Sequence, residues 1–183
     1  MGIFEGEGRR EDFLRLSPTG TVPAIVLDDG RALAESNAIL GYLADGTPYL
    51  PGDAFDRAKV WQWLSFEQER IESQVGALRH WTLTGKLARR APALVEAKRN
   101  GARRALEILD AQFAQRAFIA GDAYTIADIA LFAYASRTDE AEGLSLLPHA
   151  HLRDWIERVR AQPRFLDETF GYSIDPHSAR ELP

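Results

Sequence analysis

Ser17-Pro18-Thr19-Gly20-Thr21-Val22-Pro23-Ala24-Ile25-Val26-Leu27-Asp28-Asp29-Gly30-Arg31-Ala32-Leu33-Ala34-Glu35-Ser36-Asn37-Ala38-Ile39 is the stretch that decides the fold. It opens on a turn cluster, Ser17-Pro18-Thr19-Gly20. The apolar, β-branched run from Val22 to Leu27 predicts a strand. Asp28-Asp29-Gly30 predicts a tight hairpin turn, with Arg31 to Ala34 returning as the second strand. Ser36 to Ala44 predicts a helix with Ile39, Leu40 and Leu43 on one face, ended by Asp45-Gly46-Thr47-Pro48. Two strands and two short helices bury too little surface to stand alone in water. The hairpin therefore predicts a larger body to pack on.

Upstream, Ile3-Phe4 predicts the end of a strand, and Arg9 to Leu16 a short helix with Phe13, Leu14 and Leu16 among charges. Downstream, residues 47–56 hold two prolines and read as a linker. The helical period then takes over. Val60, Leu64, Ile71, Val75 and Leu78 form one apolar stripe along a long helix. Leu94, Ala97, Gly101, Ala105 and Ile108 form a second stripe. Ile126, Ile129, Ala130 and Ala133 mark a third helix, and Leu152, Trp155, Ile156 and Val159 a fourth. Residues 167–183 read as a polar tail. The expected organisation is an N-terminal α+β portion over 1–46, the linker, an all-helical bundle over 57–166, and the tail.

The chain has 183 residues, a net charge of −5, and 45% hydrophobic and 27% charged residues. That is ordinary for a folded protein with a sizeable core. An acidic balance argues against a general nucleic-acid footprint, and no apolar run reaches the length of a membrane span. There is no cysteine, so disulfides, thiolate metal sites and a cysteine nucleophile are excluded from this sequence. His149 and His151 are two residues apart with no third ligand nearby, so no metal site is expected. Cytoplasmic location is the simplest expectation.

Chemistry concentrates at the two ends of the hairpin. Pro23 opens the first strand and has no amide to donate. The Val22 backbone beside it is thereby left to face a ligand, and an X-Pro bond is where a cis peptide is least costly. At the other end, Ser36 is the expected N-cap of the following helix. A helix start favours a negative group and offers backbone donors to a carboxylate, while Glu35 suits an ammonium group. Each feature also has a plain structural role: an edge proline, a capping serine and a solvated glutamate.

The order of these motifs, from the Ser17 turn through Val22-Pro23 and the Asp28-Asp29-Gly30 turn to Glu35-Ser36-Asn37-Ala38-Ile39, resembles the cytosolic glutathione transferases of bacterial type. Their usual pattern is Asn-Pro-x-Gly-Lys-Val-Pro, an acidic-Gly turn, then Glu-Ser-x-Ala-Ile. Gly121-Asp122-Ala123-Tyr124-Thr125-Ile126-Ala127-Asp128-Ile129 resembles that family's interior capping box, a structural device in which Asp128 returns a bond to the Thr125 amide. The resemblance covers nearly all of the sequence to about residue 166. It implies an incomplete thioredoxin-like domain followed by the all-helical C-terminal domain.

The resemblance implies a transferase of detoxification type, with glutathione as co-substrate conjugated to a small hydrophobic electrophile. Thr21, Val22, Pro23, Glu35 and Ser36 would hold the tripeptide. Val22 would pair through its backbone with the cysteinyl part, Pro23 would be the cis proline, and Glu35 and Ser36 would take the γ-glutamyl end. Thr21 stands where the family often has Lys, and Ser17 where it often has Asn. Phe66, Ser73, Ala77, His80 and Trp81 on the long helix are the expected electrophile contacts, in a site between the hairpin and that helix. Gln68, Glu69 and Glu72 would approach a neighbouring subunit, since a homodimer is implied.

The resemblance also implies about thirty further residues before Ile3-Phe4. That segment carries the family's Tyr, Ser or Cys that activates the thiol, so a shortened N-terminus is expected and the catalytic residue stays unassigned. The alternatives are a non-catalytic binding or assembly module of the same fold, or a glutathione-dependent isomerase, dehalogenase or peroxidase.

Overall fold

The computed structural model describes residues 6–166. The Ile3-Phe4 strand and the 167–183 tail expected from sequence lie outside the described residues. The chain divides into two compact units, one ending at Thr47 and one beginning at Pro48.

The first described elements of the first unit are a 3-10 turn, Glu7–Arg9, and a one-turn helix α1, Glu11–Leu14. Strands β1 (Ala24–Val26) and β2 (Ala32–Ala34) pair antiparallel, with Ala24 opposite Ala34, Ile25 opposite Leu33 and Val26 opposite Ala32. The strands are shorter than the apolar run suggests. Pro23 has no amide to give the ladder, and Leu27 already belongs to the turn. The Leu27 amide donates to Arg31 O at 2.8 Å, and the Gly30 amide donates to Leu27 O at 2.9 Å. Gly30 sits at φ +85, a conformation glycine takes without steric cost. Helix α2, Ser36–Ala44, follows β2 directly and buries Ile39 and Ala44.

Among the described residues, the regular elements of the second unit are all helices. Asp53 caps α3 (Ala54–Phe66), its carboxylate accepting from the amides of Phe55 and Asp56. The expected long helix is continuous but not uniform. Between α3 and α4 (Ala77–Leu83) the residues Glu67–Gly76 are wound as a π-helix. The wider winding moves successive side chains by less than an α-turn, yet Val60, Leu64, Ile71, Val75 and Leu78 all remain buried.

Helix α5, Pro92–Phe113, buries Val95, Ala102, Ala105, Leu106, Leu109 and Phe113. This corrects the stripe read from sequence. Leu94 and Ile108 are 46% and 43% exposed, so the buried face is rotated by one residue from the expected one. The sequence offered two apolar faces on this helix, and periodicity does not say which is covered. Helix α6, Ile126–Ala135, buries Ala127 and Leu131 as well as Ile126 and Ala130, while Ala133 is exposed. Helix α7, Ala150–Arg160, buries Leu152, Trp155, Ile156 and Val159 as its 3.6-residue spacing predicts. Its Trp155 ring stacks on Phe113 at 4.6 Å.

The capping box is in place. The Asp128 carboxylate accepts from the Thr125 amide at 3.0 Å and from the Thr125 hydroxyl at 3.1 Å. Its other oxygen accepts from the Ile119 amide and the Trp155 indole, both at 2.9 Å. Burial pushes the Asp128 carboxyl up, against the pull of these four donors. Among the described residues, no helix is long and apolar enough to cross a membrane.

Candidate functional site

The strand register determines what shares one end of the hairpin. Because Ala24 faces Ala34, the chain entering β1 through Val22-Pro23 runs beside the chain leaving β2 through Glu35-Ser36. Paired strands lie about 5 Å apart in the hydrogen-bonding direction. The Val22–Pro23 peptide bond is cis. Val22 is 52% exposed, and among the described residues neither its amide nor its carbonyl is engaged by backbone. An extended ligand thus meets a free donor and a free acceptor on one residue.

Glu35 corrects one expectation. It, and not Ser36, is the N-cap of α2, and Ser36 is the first helical residue. Glu35 has φ 72 and ψ 119, a left-handed conformation that is costly for a side chain with a Cβ and that gathers at ligand-binding positions. Its carbonyl accepts the first helical bond, from the Ile39 amide at 2.9 Å. Among the described residues no side chain caps the helix, which leaves its first-turn amides to a carboxylate. Glu35 and Ser36 are both exposed. Sequence preference for serine at a cap was misleading, because the turn out of β2 is completed by the strained residue itself.

A hydroxyl ladder supports the Val22 loop. Ser17 is fully buried, and its hydroxyl donates to the Thr21 carbonyl at 2.8 Å. Ser17 Oγ also lies 3.2 Å from Thr19 Oγ1, which lies 2.7 Å from Thr21 Oγ1. Each hydroxyl carries one proton. With the Ser17 proton on the Thr21 carbonyl, Thr19 must donate to Ser17, and Thr21 must donate to Thr19. The Thr21 side chain then presents only lone pairs to solvent. The spacing of hydroxyls at 17, 19 and 21 was the available sequence signal for this ladder. Ser17 is accordingly committed to holding the loop.

The loop is also locked from the other side. Gly8 is buried against Gly20. A Cβ on Gly8 would stand 2.4 Å from the Gly20 carbonyl oxygen, and one on Gly20 would stand 2.6 Å from that of Gly8. Nothing in the spacing of the two glycines announces this contact. A cavity of about 410 Å³ in the same unit is lined by Glu7, Arg10, Asp12, Phe13, Leu16 and Ala24. At its rim Arg10 donates to Asp12 at 2.9 Å, and that hydrogen bond holds the Asp12 carboxyl below its ordinary value.

The five helical residues expected to contact an electrophile are spread over α3, the π-helix and α4. Phe66 packs edge-on to Trp63 at 5.2 Å. It also lines a cavity of about 600 Å³ with Arg70, Gln74, Gly101, Arg104 and Ile108. The Ser73 hydroxyl donates to the Glu69 carbonyl, and its own carbonyl accepts from Lys98 at 2.6 Å. Ala77 is half-buried at the first turn of α4. The His80 carbonyl accepts from the Thr84 hydroxyl at 2.6 Å. Trp81 lies under the Arg90 guanidinium at 4.9 Å. Phe66 and Trp81 stand on the order of 20 Å apart along the helical axis. Among the described residues, no group of three His, Asp or Glu side chains is placed to hold a metal ion.

Comparison with known proteins gives a consistent result. Residues 3–45 match the family model described as glutathione S-transferase, N-terminal domain, and residues 71–163 match glutathione S-transferase, C-terminal domain. Glutathione S-transferase 3 of Zea mays is 31% identical over 185 residues, spanning 96% of this chain and 82% of that protein. The crystal structure of a glutathione S-transferase from Pseudomonas fluorescens Pf-5 superposes with a TM-score of 0.85 at 35% identity, covering 91% of this chain and 82% of the other. A glutathione transferase family member from the same organism, solved with two glutathione bound, gives 0.74 at 29% identity, over 87% and 75% of the two chains.

Proposed function

We propose, from the premise that the chain belongs to the glutathione S-transferase family, that it binds glutathione at the open end of the hairpin and transfers its thiol to a small hydrophobic electrophile. The observation that carries the reading is the strand register. It sets the exposed Val22 backbone and cis Pro23 beside Glu35 and the uncapped start of α2. An extended tripeptide with a zwitterionic end needs those three features together.

In this reading Val22 donates to and accepts from the cysteinyl backbone, as a strand would. The first-turn amides of α2 and the Ser36 hydroxyl receive the γ-glutamyl carboxylate. Glu35 receives its ammonium group. Thr21 and Pro23 shape the loop that presents Val22. Holding the thiol at a fixed place converts a bimolecular encounter into a positioned attack. Only the thiolate attacks, and the group that stabilises it is unassigned. Ser73, Ala77, His80 and Trp81, within two to three turns of one another, are the electrophile contacts of this reading, and Phe66, on the order of 20 Å from Trp81, faces the cavity against α5 instead. Cytoplasmic location accords with this reading, because glutathione maintains the reduced thiol pool there.

A homodimer is part of the proposal. The outward face of α5 carries exposed Leu94 and Ile108 in line with Gly101, beside the cavity that Arg70 and Arg104 border. An apolar stripe with charged margins suits an isologous contact. Ile108→Glu is expected to shift sedimentation from dimer to monomer.

The direct test is conjugation of glutathione to a generic aryl halide, followed by absorbance. Saturable turnover above the buffer rate supports the transferase. A non-catalytic binding role is the second reading. Calorimetric binding of glutathione without turnover selects it, and absence of both rejects the site.

A further inference from the structure

We propose that Arg90, held over Trp81, forms a subsite for an acidic group on the electrophile, so that the preferred co-substrate is an aromatic acid and not a neutral arene. The inference rests on the electrophile reading above, in which Trp81 is a contact, and names the substrate class.

The first observation is a segment without its own counter-charge. The chain as a whole carries a net charge of −5. Yet from Ser73 to Val95 it holds Arg79, His80, Lys86, Arg89 and Arg90 and no Asp or Glu. Two acids approach from the stretch between α6 and α7, and both are engaged. Glu140 pairs with Arg79 at 2.6 Å. The Glu142 amide donates to the Thr82 hydroxyl at 3.0 Å, but its carboxylate pairs with Arg99, also at 3.0 Å. Helix α5 begins at Pro92 with no side-chain cap and no acid in its first turn. The positive end of a long helix thus adds to the same field.

The second observation is a donor already in place. The Arg90 guanidinium carbon lies over the Trp81 ring, 4.9 Å from its centroid. An indole face holds a guanidinium by charge and dispersion and offers it no lone pair, so the planar fork stays available to a carboxylate. Arg90 Nε is buried and has no hydrogen-bond partner, and Arg90 forms no ion pair among the described residues. A buried donor without an acceptor is rare in a folded protein. Here it calls for an acceptor from outside the chain. Trp81 itself is half-buried, which leaves part of the indole to an apolar body beside the charge.

The third observation is Lys86. Its amide donates to the Trp81 carbonyl at 2.8 Å, and one 3-10 turn, Leu87–Arg89, separates it from Arg90. Lys86 is only 5% exposed, and its side chain has no ion pair or hydrogen bond among the described residues. A lysine so deep without a counter-charge is costly, and a bound anion offsets that cost. The hydroxyls of the same turn are committed. Thr82 donates to the Leu78 carbonyl at 2.8 Å and Thr84 to the His80 carbonyl at 2.6 Å.

In the transfer, the thiolate sulfur bonds to the ring carbon that carries the halogen. Halide leaves with the electron pair of its bond, and the thiol proton goes to solvent. The acidic group is unchanged and serves to orient the ring.

The test is calorimetry on the full chain with 3,5-dinitrobenzoate and 3,5-dinitrobenzamide, at low and at physiological salt. Wild type is expected to prefer the carboxylate by about tenfold at low salt, and the preference should shrink as salt rises. Arg90→Met keeps an apolar stem on Trp81 and is expected to erase the preference. Arg90→Lys restores the charge without the fork and is expected to recover part of it. Glutathione conjugation to 4-chloro-3,5-dinitrobenzoate, scaled to its buffer rate, should then fall in Arg90→Met more than conjugation to 1-chloro-2,4-dinitrobenzene. An Arg90→Met protein that still prefers the carboxylate overturns the proposal. Wild type that binds both probes equally overturns it without recourse to a variant, and leaves the transferase reading standing if either chloroarene is conjugated. A carboxylate preference that depends on Arg90, with neither chloroarene conjugated, upholds the subsite and rejects the transferase.

Discussion

The indole N–H of Trp155 donates to Asp128 Oδ1 at 2.9 Å, across twenty-seven residues and wholly inside the helical unit. The same oxygen receives the Ile119 amide, and the other receives both donors of Thr125. One carboxylate thus satisfies the start of α6, the preceding loop and α7. Asp128→Asn turns an amide nitrogen toward donors that need an acceptor, and is expected to cost about 3 kcal/mol of stability. Trp155→Phe keeps the stacking on Phe113 and loses one donor, so about 1 kcal/mol is expected from the lost hydrogen bond. Urea unfolding measures both. Equal stability of Asp128→Asn and wild type would show that the network holds nothing together.

With the role proposed for it, Glu35 is expected to link stability to binding with opposite signs. Its φ of 72 is strained for any residue with a side chain, at a cost of order 1–3 kcal/mol. Glu35→Gly relieves that strain and removes the carboxylate. The variant is expected to melt at the same temperature as wild type or higher, and to bind glutathione at least tenfold more weakly. Glu35→Gln should retain the strain and lose affinity. A Glu35→Gly protein with undiminished affinity places the ammonium contact elsewhere.

Much of this was legible from residue order. Asp28-Asp29-Gly30 announced the hairpin because only glycine takes φ +85 freely at its third position. Trp155 and its neighbours announced α7, because a single apolar face admits one burial. What was not legible depended on partners remote in sequence. Helix α5 has apolar residues on two faces, and only the π-helix and α7 packed against it choose Leu106 and Leu109 over Ile108. The Gly8–Gly20 contact joins two turns with no shared pattern. Glu35 was named from its place before the helix, but its positive φ and its role as the N-cap were not legible, because strain at a cap runs against local preference.

The π-wound segment has its own test at Gly76. A Cβ there would stand 3.0 Å from the Tyr134 ring on α6. Ordinarily alanine is better than glycine in a helix by about 1 kcal/mol. Here the ring blocks it, and overpacking of this kind costs about 1–3 kcal/mol. Gly76→Ala is therefore expected to lower the melting temperature in wild type and to raise it in a Tyr134→Ala background. A double-mutant cycle gives the sign directly. Stabilisation in both backgrounds would mean the ring yields without cost.

Glu140 makes part of the stability depend on pH. Burial alone would raise its carboxyl, but hydrogen bonds from Arg137 at 2.9 Å and Arg79 at 2.6 Å, with their charges, hold it below its ordinary value. A carboxylate depressed in the folded state binds fewer protons there than in the unfolded chain. Its contribution is thus complete above the unfolded value near 4.5 and is lost as pH falls through the lower, folded value. Glu140→Gln should melt below wild type by a constant interval from pH 7 to pH 5. The interval should close below pH 4.5, as protonation makes the wild-type side chain neutral too. With a third of the Glu140 side chain exposed, solvent screens the pair, and added salt should narrow the interval at neutral pH. An interval that stays constant into acid would assign the loss to packing against Arg79 and not to charge.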